Sequence, residues 1–393
     1  MDERVRDRLS MAVSATITPA QDLGALESEW RALEREADCS FFLSWGWLGP
    51  WAVLIARQTE LHLLRCETAG RTVGLAFLTR RLVRRRRGLI RATQLQLNEF
   101  NAPSCDMIIE YNGILSANGY ERSCWEAFAR AVQASSLRWD ELACRSLPPD
   151  QHLLAQQAFR SLREEVDQAV PSWVVRLTKT HQDAEQLQAV FKKKTRQQMR
   201  QSLREFETLG PIATRFADSH QEAGKFFGEM GVFHSARWKR VGQKGSFDNQ
   251  TWRDFHAGVI AAGLHRGEVQ LARVTVGDSP IGFIYGFAWR GRFFAVQTGF
   301  KPQERNSLRS GYVAHFCVMQ QNASRGLEAY DLLPDDDDSY KRRLADPEGM
   351  LTTVRYQRRR ARFAVERLAQ RVWSKFIGLR VAHPTGSSVE EER

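Results

Sequence analysis

QLARVTV (Gln270–Val276) and IGFIYGFAW (Ile281–Trp289) read as two neighbouring strands, and Gly277-Asp278-Ser279-Pro280 between them consists of turn-forming residues. A third strand-like run, RFFAVQTGF (Arg292–Phe300), follows Arg290-Gly291. Next come a basic loop, KPQERNSLRSG (Lys301–Gly311), and a helical segment, YVAHFCVMQQNASRG. On that segment Val313, Phe316 and Cys317 share one face, and Gly326 is placed to end it. A last strand-like piece, AYDLL, runs into Asp335–Asp338 and Tyr340-Lys341. The order is strand, strand, strand, basic loop, helix, strand, an α/β pattern.

A loop entering a helix N-terminus offers free backbone N–H groups and the positive end of the helix dipole, a setting that suits phosphate. Arg305 and Arg309 can add fork-shaped donors, and Asn306 or Ser307 can cap the helix. A pyrophosphate-bearing cofactor fits such a loop. A solvated loop with scattered arginines has the same spelling.

Outward from this stretch, LHLLRCET (Leu61–Thr68) and VGLAFLTRRLV (Val73–Val83) repeat its opening. Sliding Leu61–Leu78 onto Val269–Gly286 without a gap sets Leu63 on Leu271, Arg65 on Arg273, Val73 on Ile281, Gly74 on Gly282 and Phe77 on Tyr285. A strand–turn–strand pattern recurring at one offset suggests a duplicated α/β unit. The chain then divides into a loose end over 1–18, a first half over 19–165, a second over 166–355, and a basic helix and tail over 356–393.

The 393 residues suffice for two domains with a large core. No apolar run approaches the ~18 residues of a spanning helix, and MDERVRDRLSMAVSAT is too mixed for a secretory signal. Cysteines Cys39, Cys66, Cys105, Cys124, Cys144 and Cys317 are dispersed without a CxxC pair. Reduced thiols in a cytoplasmic protein and no zinc site are the expectation. A net charge of +11 favours anionic partners without choosing among them.

Along the first half, Asp22–Ala37 reads as an amphipathic helix. Phe41–Trp51 is either an aromatic wall for a substrate or a core helix end. Arg84–Arg87 either grip phosphate or tip a hairpin. In the second half, Ala184–Gly210 is a strongly basic helical run with Lys192, Lys193, Lys194, Arg196, Arg200 and Arg204, either a solvated face or an anion binder. Ser219–Arg240 is a further helix carrying His234, a candidate general base because imidazole titrates near neutrality. Asp335–Asp338 are an open acidic loop or, with converging ligands, a magnesium site; no metal is expected.

FKKKTRQQMRQSLREFETLG (Phe191–Gly210), FHSARW (Phe233–Trp238), the strand pair with Gly282, SLRSGY (Ser307–Tyr312) and YDLLPDDDDSYKRRL (Tyr330–Leu344) together resemble the GNAT acyltransferases. They are most similar to the CelD-like, cellulose-biosynthesis-associated acetyltransferases, relatives of the FemAB/FemX peptidyltransferases. The early SFFLSWGWLGPW (Ser40–Trp51) fits as well, and the likeness covers about residues 20–345. Leu308 stands where the phosphate loop of single-domain members carries glycine.

The resemblance implies an α/β (α+β) fold of tandem GNAT-like halves, each a mixed, largely antiparallel sheet flanked by helices, and transfer of an acyl group, acetyl or another, from acyl-coenzyme A. The acceptor would be an amine or hydroxyl on a small or sugar-containing molecule, in exopolysaccharide, cellulose or envelope synthesis. It implies a donor phosphate site at Arg305, Ser307, Arg309 and Gly311. Lys341 would stabilise charge at the reacting centre, as the lysine of the similar FemX motif does, with Tyr340 as acid and Asp331 orienting Lys341. Two alternatives stay open: a FemX-like transferase drawing on aminoacyl-tRNA, the one case in which nucleic acid binds, and a non-catalytic module of the same fold. The tail Tyr356–Val381 is expected to be helical, with Val372, Trp373, Phe376 and Ile377 in an apolar stripe flanked by arginines. It either docks on the protein's own core or rests on an anionic inner membrane.

Overall fold

The computed structural model describes residues 12–367 apart from 86–89, 101–106, 304, 306, 337 and 338. They form two compact units, residues 12–169 with 350–367, and residues 170–349.

The first unit contains β1 (Ser14–Pro19), α1 (Leu23–Glu34), α2 (Trp45–Ile55), β2 (Leu61–Thr68), β3 (Arg71–Arg85), β4 (Ile90–Leu97), β5 (Leu115–Ser116), α3 (Glu121–Ala134), β6 (Glu141–Leu147) and α4 (Pro149–Ala158). β7 (Arg163–Arg176) carries the chain into the second unit. There follow α5 (Ala184–Ala189), α6 (Lys193–Glu207), β8 (Ile212–Phe216), α7 (His220–Arg240), α8 (Gln250–Gly263), β9 (Val269–Val276), β10 (Ser279–Trp289), β11 (Arg292–Phe300), α9 (Ser310–Ser324), β12 (Ala329–Pro334) and α10 (Lys341–Leu344). β13 (Asp346–Gln357) takes the chain back.

Each unit is a mixed sheet flanked by helices. The first has the order β1-β2-β3-β4-β6-β13 and the second β8-β9-β10-β11-β12-β7, with one parallel pair in each, β4–β6 and β11–β12. The duplication seen in the sequence holds at the level of register. In the first unit Thr72 faces Glu67 and Gly74 faces Cys66, skipping Val73. In the second Pro280 faces Thr275 and Gly282 faces Val274, skipping Ile281, so the ladder and its bulge recur at one offset. The paired glycines have a shared purpose. A Cβ at Gly74 would sit 2.6 Å from the Cys124 sulfur of α3, and one at Gly282 3.0 Å from the Ala314 Cβ of α9. In each unit glycine lets a helix lie close on the sheet.

Three features differ from the sequence reading. Ser14–Pro19 is not a loose end: its Thr-Ile-Thr run forms an edge strand, with Ile17 opposite Leu64. The basic run over 184–210 is two helices, because Asp183 caps α5 and the backbone turns extended at Lys192, burying Phe191. From Met350 onward the chain belongs to the first unit, where Val354 and Tyr356 are buried and the Tyr356 ring stacks on Phe159 at 5.2 Å. The aromatic run Phe41–Trp51 is core: Phe41, Phe42, Trp45, Trp47 and Trp51 are all buried. Residues 361–367 are helical, and Phe363 is buried against Ile90 and Ala92. The apolar stripe Val372, Trp373, Phe376 and Ile377 lies outside the described residues, as do Arg86 and Arg87.

Candidate active site

The site grows from the parallel pair of the second unit. β11 and β12 pair only at Arg292–Ala329, Phe293–Tyr330 and Phe294–Asp331, after which β11 continues to Phe300 alone on that side. On its other side the ladder with β10 passes from Ala295 to Gln297 and leaves Val296 out, a bulge where the strands part. Phe293, Phe294 and Ala295 are buried, whereas Val296, Gln297 and Thr298 are partly exposed. The result is a gap between diverging strands, with the loop Lys301–Arg309 and the first turn of α9 following the end of β11.

β12 bends on its own side of the gap. Asp331 faces Val174 and Pro334 faces Ser172, so a residue is again left over, and Leu333 takes a left-handed conformation at φ 66°. For a branched side chain that conformation costs about 1–3 kcal/mol and persists only where the surroundings fix it. Here they do. The buried Asp331 carboxylate accepts the Leu333 N–H at 2.7 Å, and its other oxygen accepts from Arg292 at 2.9 Å. The Leu333 carbonyl accepts from Lys341 Nζ at 3.4 Å, as does that of Pro334 at 3.3 Å, and the Asp335 carboxylate lies 3.4 Å from the same ammonium. Asp331 therefore reaches Lys341 through the Leu333 peptide, not directly. Asp335 also accepts from Ser339 Oγ at 2.8 Å and from the Asp336 N–H at 2.9 Å, while Asp337 and Asp338 lie outside the described residues.

A histidine that the sequence reading passed over completes this end. His315, buried on α9, shares a hydrogen bond of 2.8 Å between Nδ1 and the Tyr330 hydroxyl of β12, and its Nε2 is buried without a hydrogen-bond partner. Its ring packs 5.5 Å from Phe300 and 6.4 Å from the Tyr340 ring. Burial, and then the Lys341 charge, push its pKa down to about 3, so it is neutral. Burial likewise raises the Tyr330 phenol well above its ordinary value. The signal for His315 was its spacing: it stands one helical turn after Gly311, on a segment otherwise apolar.

The loop before α9 is fastened to α6. Ser307 Oγ donates to Glu205 at 2.5 Å, Ser202 Oγ donates to the Ser307 carbonyl, and the Arg309 N–H donates to Ser202 Oγ at 3.0 Å. Hydrogen bonds from Ser307 and Gln201, with Arg305 nearby, hold the Glu205 carboxyl below its ordinary pKa. Leu308 is buried in the core and anchors the loop. Ser307 is thus a tie to α6 rather than a cap. Asn306, the other expected cap, lies outside the described residues. Arg309 occupies the N-cap position of α9, and its own side chain makes no capping hydrogen bond. Its guanidinium lies 5.5 Å from the Tyr312 ring, and Arg305 is exposed. Gly311 sits in the first turn, where a Cβ would come within 3.1 Å of the Phe300 ring.

His234 belongs elsewhere. Trp238 Nε1 donates to its Nε2 at 2.8 Å, and the ring packs on Phe247 at 5.2 Å. The indole occupies the lone pair a base would use, while burial and then Arg237 push the pKa down to about 4. A ring so placed is a packed core group and not the base expected from its neutral titration.

Residues 193–342 match the family model described as an acetyltransferase (GNAT) domain. No curated protein matches the chain in sequence. Among solved structures the fold is similar to FemX, at 10% identity and a TM-score of 0.56, covering 87% of this chain and 98% of that one. It is also similar to L-PGS from Bacillus licheniformis, at 11% identity and a TM-score of 0.53, covering 88% and 96%.

Proposed function

We propose that the GNAT domain over residues 193–342 is the working half of an acyltransferase, moving an acyl group from acyl-coenzyme A to an amine or hydroxyl acceptor. The observation carrying this reading is the gap between β11 and β12, with the bulge at Val296 on one side and the N-terminus of α9 beyond it. The N-terminal N–H groups of α9 with Arg305 and Arg309 suit a pyrophosphate. The parted strands suit a narrow thioester arm, and a backbone N–H at the Val296 bulge suits an oxyanion. Coenzyme A, when bound, supplies an activated thioester carbonyl.

The residues at the far side of the gap then have definite tasks. Asp331 fixes the Leu333 peptide, and that peptide with Pro334 and Asp335 holds the Lys341 ammonium beside the reacting centre, where it steadies developing negative charge. Tyr340, one residue before, is the candidate acid for the leaving thiolate. No resident metal is needed for this chemistry. An acetyl group and a sugar-containing acceptor in exopolysaccharide or cellulose synthesis are the finer reading, resting on the CelD-like motifs. The membrane contact expected of residues 356–381 is kept only for the part after Phe363, since Tyr356 and Phe363 are buried in the first unit.

A second reading, with an aminoacyl-tRNA donor, draws on α6. Lys193, Lys194, Arg200 and Arg204 are exposed there, and among the described residues none is paired with a carboxylate. Thermal melts separate the two. Stabilisation by coenzyme A at excess over Kd, and none by tRNA, is expected. Stabilisation by tRNA alone, falling steeply with salt, would replace the first reading by the second, and stabilisation by neither would leave a binding module. With an acceptor in hand, Lys341→Met is expected to lower kcat more than donor affinity.

A further inference from the structure

The second unit has another concavity, remote from the gap. A cleft of about 430 Å³ opens between α5, α6, β8 and the later turns of α9. That volume lies within the range of small-molecule sites. Its lining on α9 runs from Phe316 to Gln321, six to eleven residues after Ser310, which places the cleft about 9–16 Å along the helix from the donor loop.

The lining is two-sided in character. Its floor is apolar, with Phe316 and Cys317 buried and Leu203 and Ile212 partly so. Its rim is cationic. Arg200 and Arg204 stand one turn apart and so on one face of α6. Arg200 Nε donates to the Gln188 amide at 2.6 Å, which fixes the guanidinium while leaving its outer N–H groups. Neither arginine has a carboxylate partner among the described residues, although Glu207 also lines the cleft. Nearby arginines of the same unit behave otherwise: Arg215 pairs with Glu222 at 2.6 Å and Arg273 lies 3.7 Å from Glu229. Gln321 adds amide donors, and Gln320 is tied to the Gln182 carbonyl at 3.2 Å.

We propose that this cleft binds a small molecule carrying a carboxylate or phosphate on a short apolar body. The anionic head lies between Arg200 and Arg204, where two forked donors meet it. The body lies on Phe316, Cys317, Leu203 and Ile212. This site is independent of the coenzyme A reading, since none of these residues belongs to the loop or the gap, whereas Arg200 and Arg204 are shared with the aminoacyl-tRNA reading.

Calorimetry on the full chain tests it with four probes: phenyl phosphate, benzoate, inorganic phosphate and benzyl alcohol. The expected result is one saturable site for phenyl phosphate or benzoate, at least tenfold tighter than for inorganic phosphate or benzyl alcohol. The tighter of the two anionic probes identifies the head group. In the double variant Arg200→Gln, Arg204→Gln that affinity falls at least tenfold, while thermal stability and response to coenzyme A stay as in the parent. Equal affinity for parent and double variant, equal affinity for phenyl phosphate and inorganic phosphate, or no binding of any probe would each overturn the proposal.

Discussion

The parallel pair is used twice in this chain and finished differently each time. In the first unit β4 and β6 pair at Gln94–Glu141, Leu95–Leu142 and Gln96–Ala143, then part as β11 and β12 do. There the chain closes its own gap. Buried Asn112 donates from Nδ2 to the Leu97 carbonyl at the end of β4, at 2.9 Å, and its N–H donates to the Ser146 carbonyl of β6 at 3.1 Å. Asn98 supports the plug by donating to the Gly113 carbonyl at 2.8 Å and to Asn112 Oδ1 at 3.1 Å. The β3–β4 ladder also runs without a bulge, unlike β10–β11. Even the left-handed residue after the parallel pair recurs, at Ser146 and Leu333, with φ 50° and 66°.

Charge follows the same division. Between β4 and α3, residues 98–120 contain no lysine or arginine and carry Glu99, Asp106 and Glu110. Between β11 and α9, the short loop carries Lys301, Arg305 and Arg309 against a single acid, Glu304. One architecture thus yields a filled, acidic support in the first unit and an open, basic gap in the second. The lesson is that the fold supplies the opening, and the length and composition of one connection decide whether it stays open.

Acid should separate the units most strongly. His256 and His315 of the second unit are held neutral by burial, with pKa values pushed down to about 3, and His234 to about 4. The unfolded chain protonates these rings near 6.5, so between there and the folded values it binds more protons. Stability contributed by neutral burial is complete above about 6.5 and is lost as pH falls towards 4 and below. Each displaced unit is worth about 1.4 kcal/mol, so the second unit should lose several kcal/mol by pH 4. His62 of the first unit, also lowered mainly by burial, adds a smaller loss. Hydrogen exchange followed unit by unit across pH 7 to 4 checks this; equal losses would erase the distinction.

Asn112→Ala comes next. It removes the bridge and leaves buried backbone groups unpaired, at a cost of about 3 kcal/mol in urea unfolding of the first unit. Coenzyme A affinity should be unchanged, and a loss of affinity would mean that the first unit's gap takes part. Arg305→Ala with Arg309→Ala should weaken coenzyme A binding by about 1–3 kcal/mol with stability intact; unchanged calorimetry in a folded double variant would remove the loop from the site. The smallest effect is Tyr330→Phe, expected to cost about 1–2 kcal/mol in stability by unpairing His315 Nδ1.

Much of this was legible beforehand and some was not, for physical reasons. The repeat could be read because alternation and the placing of Gly74 and Gly282 are local signals that also set register. The helix over Ser310–Ser324 followed from its apolar spacing and Gly326. The destination of β13 could not be read, since a strand's partner is a long-range choice and Leu351–Gln357 is equally strand-like for either unit. Asn112-Gly113 is spelled like any turn, and only the fold turns it into a plug. His234 invited a catalytic role by its residue type alone, and Trp238, four residues on, removes it. His315 looked like one more residue on a buried helix, and its partner Tyr330 arrives from another strand.

Hydrogen exchange with and without coenzyme A tests the central contrast most directly. Protection confined to residues 292–312 and 328–341, with none at 90–97 and 107–116, is the predicted outcome. Protection centred on 107–116, or donor binding that leaves 292–312 unchanged, would contradict the account.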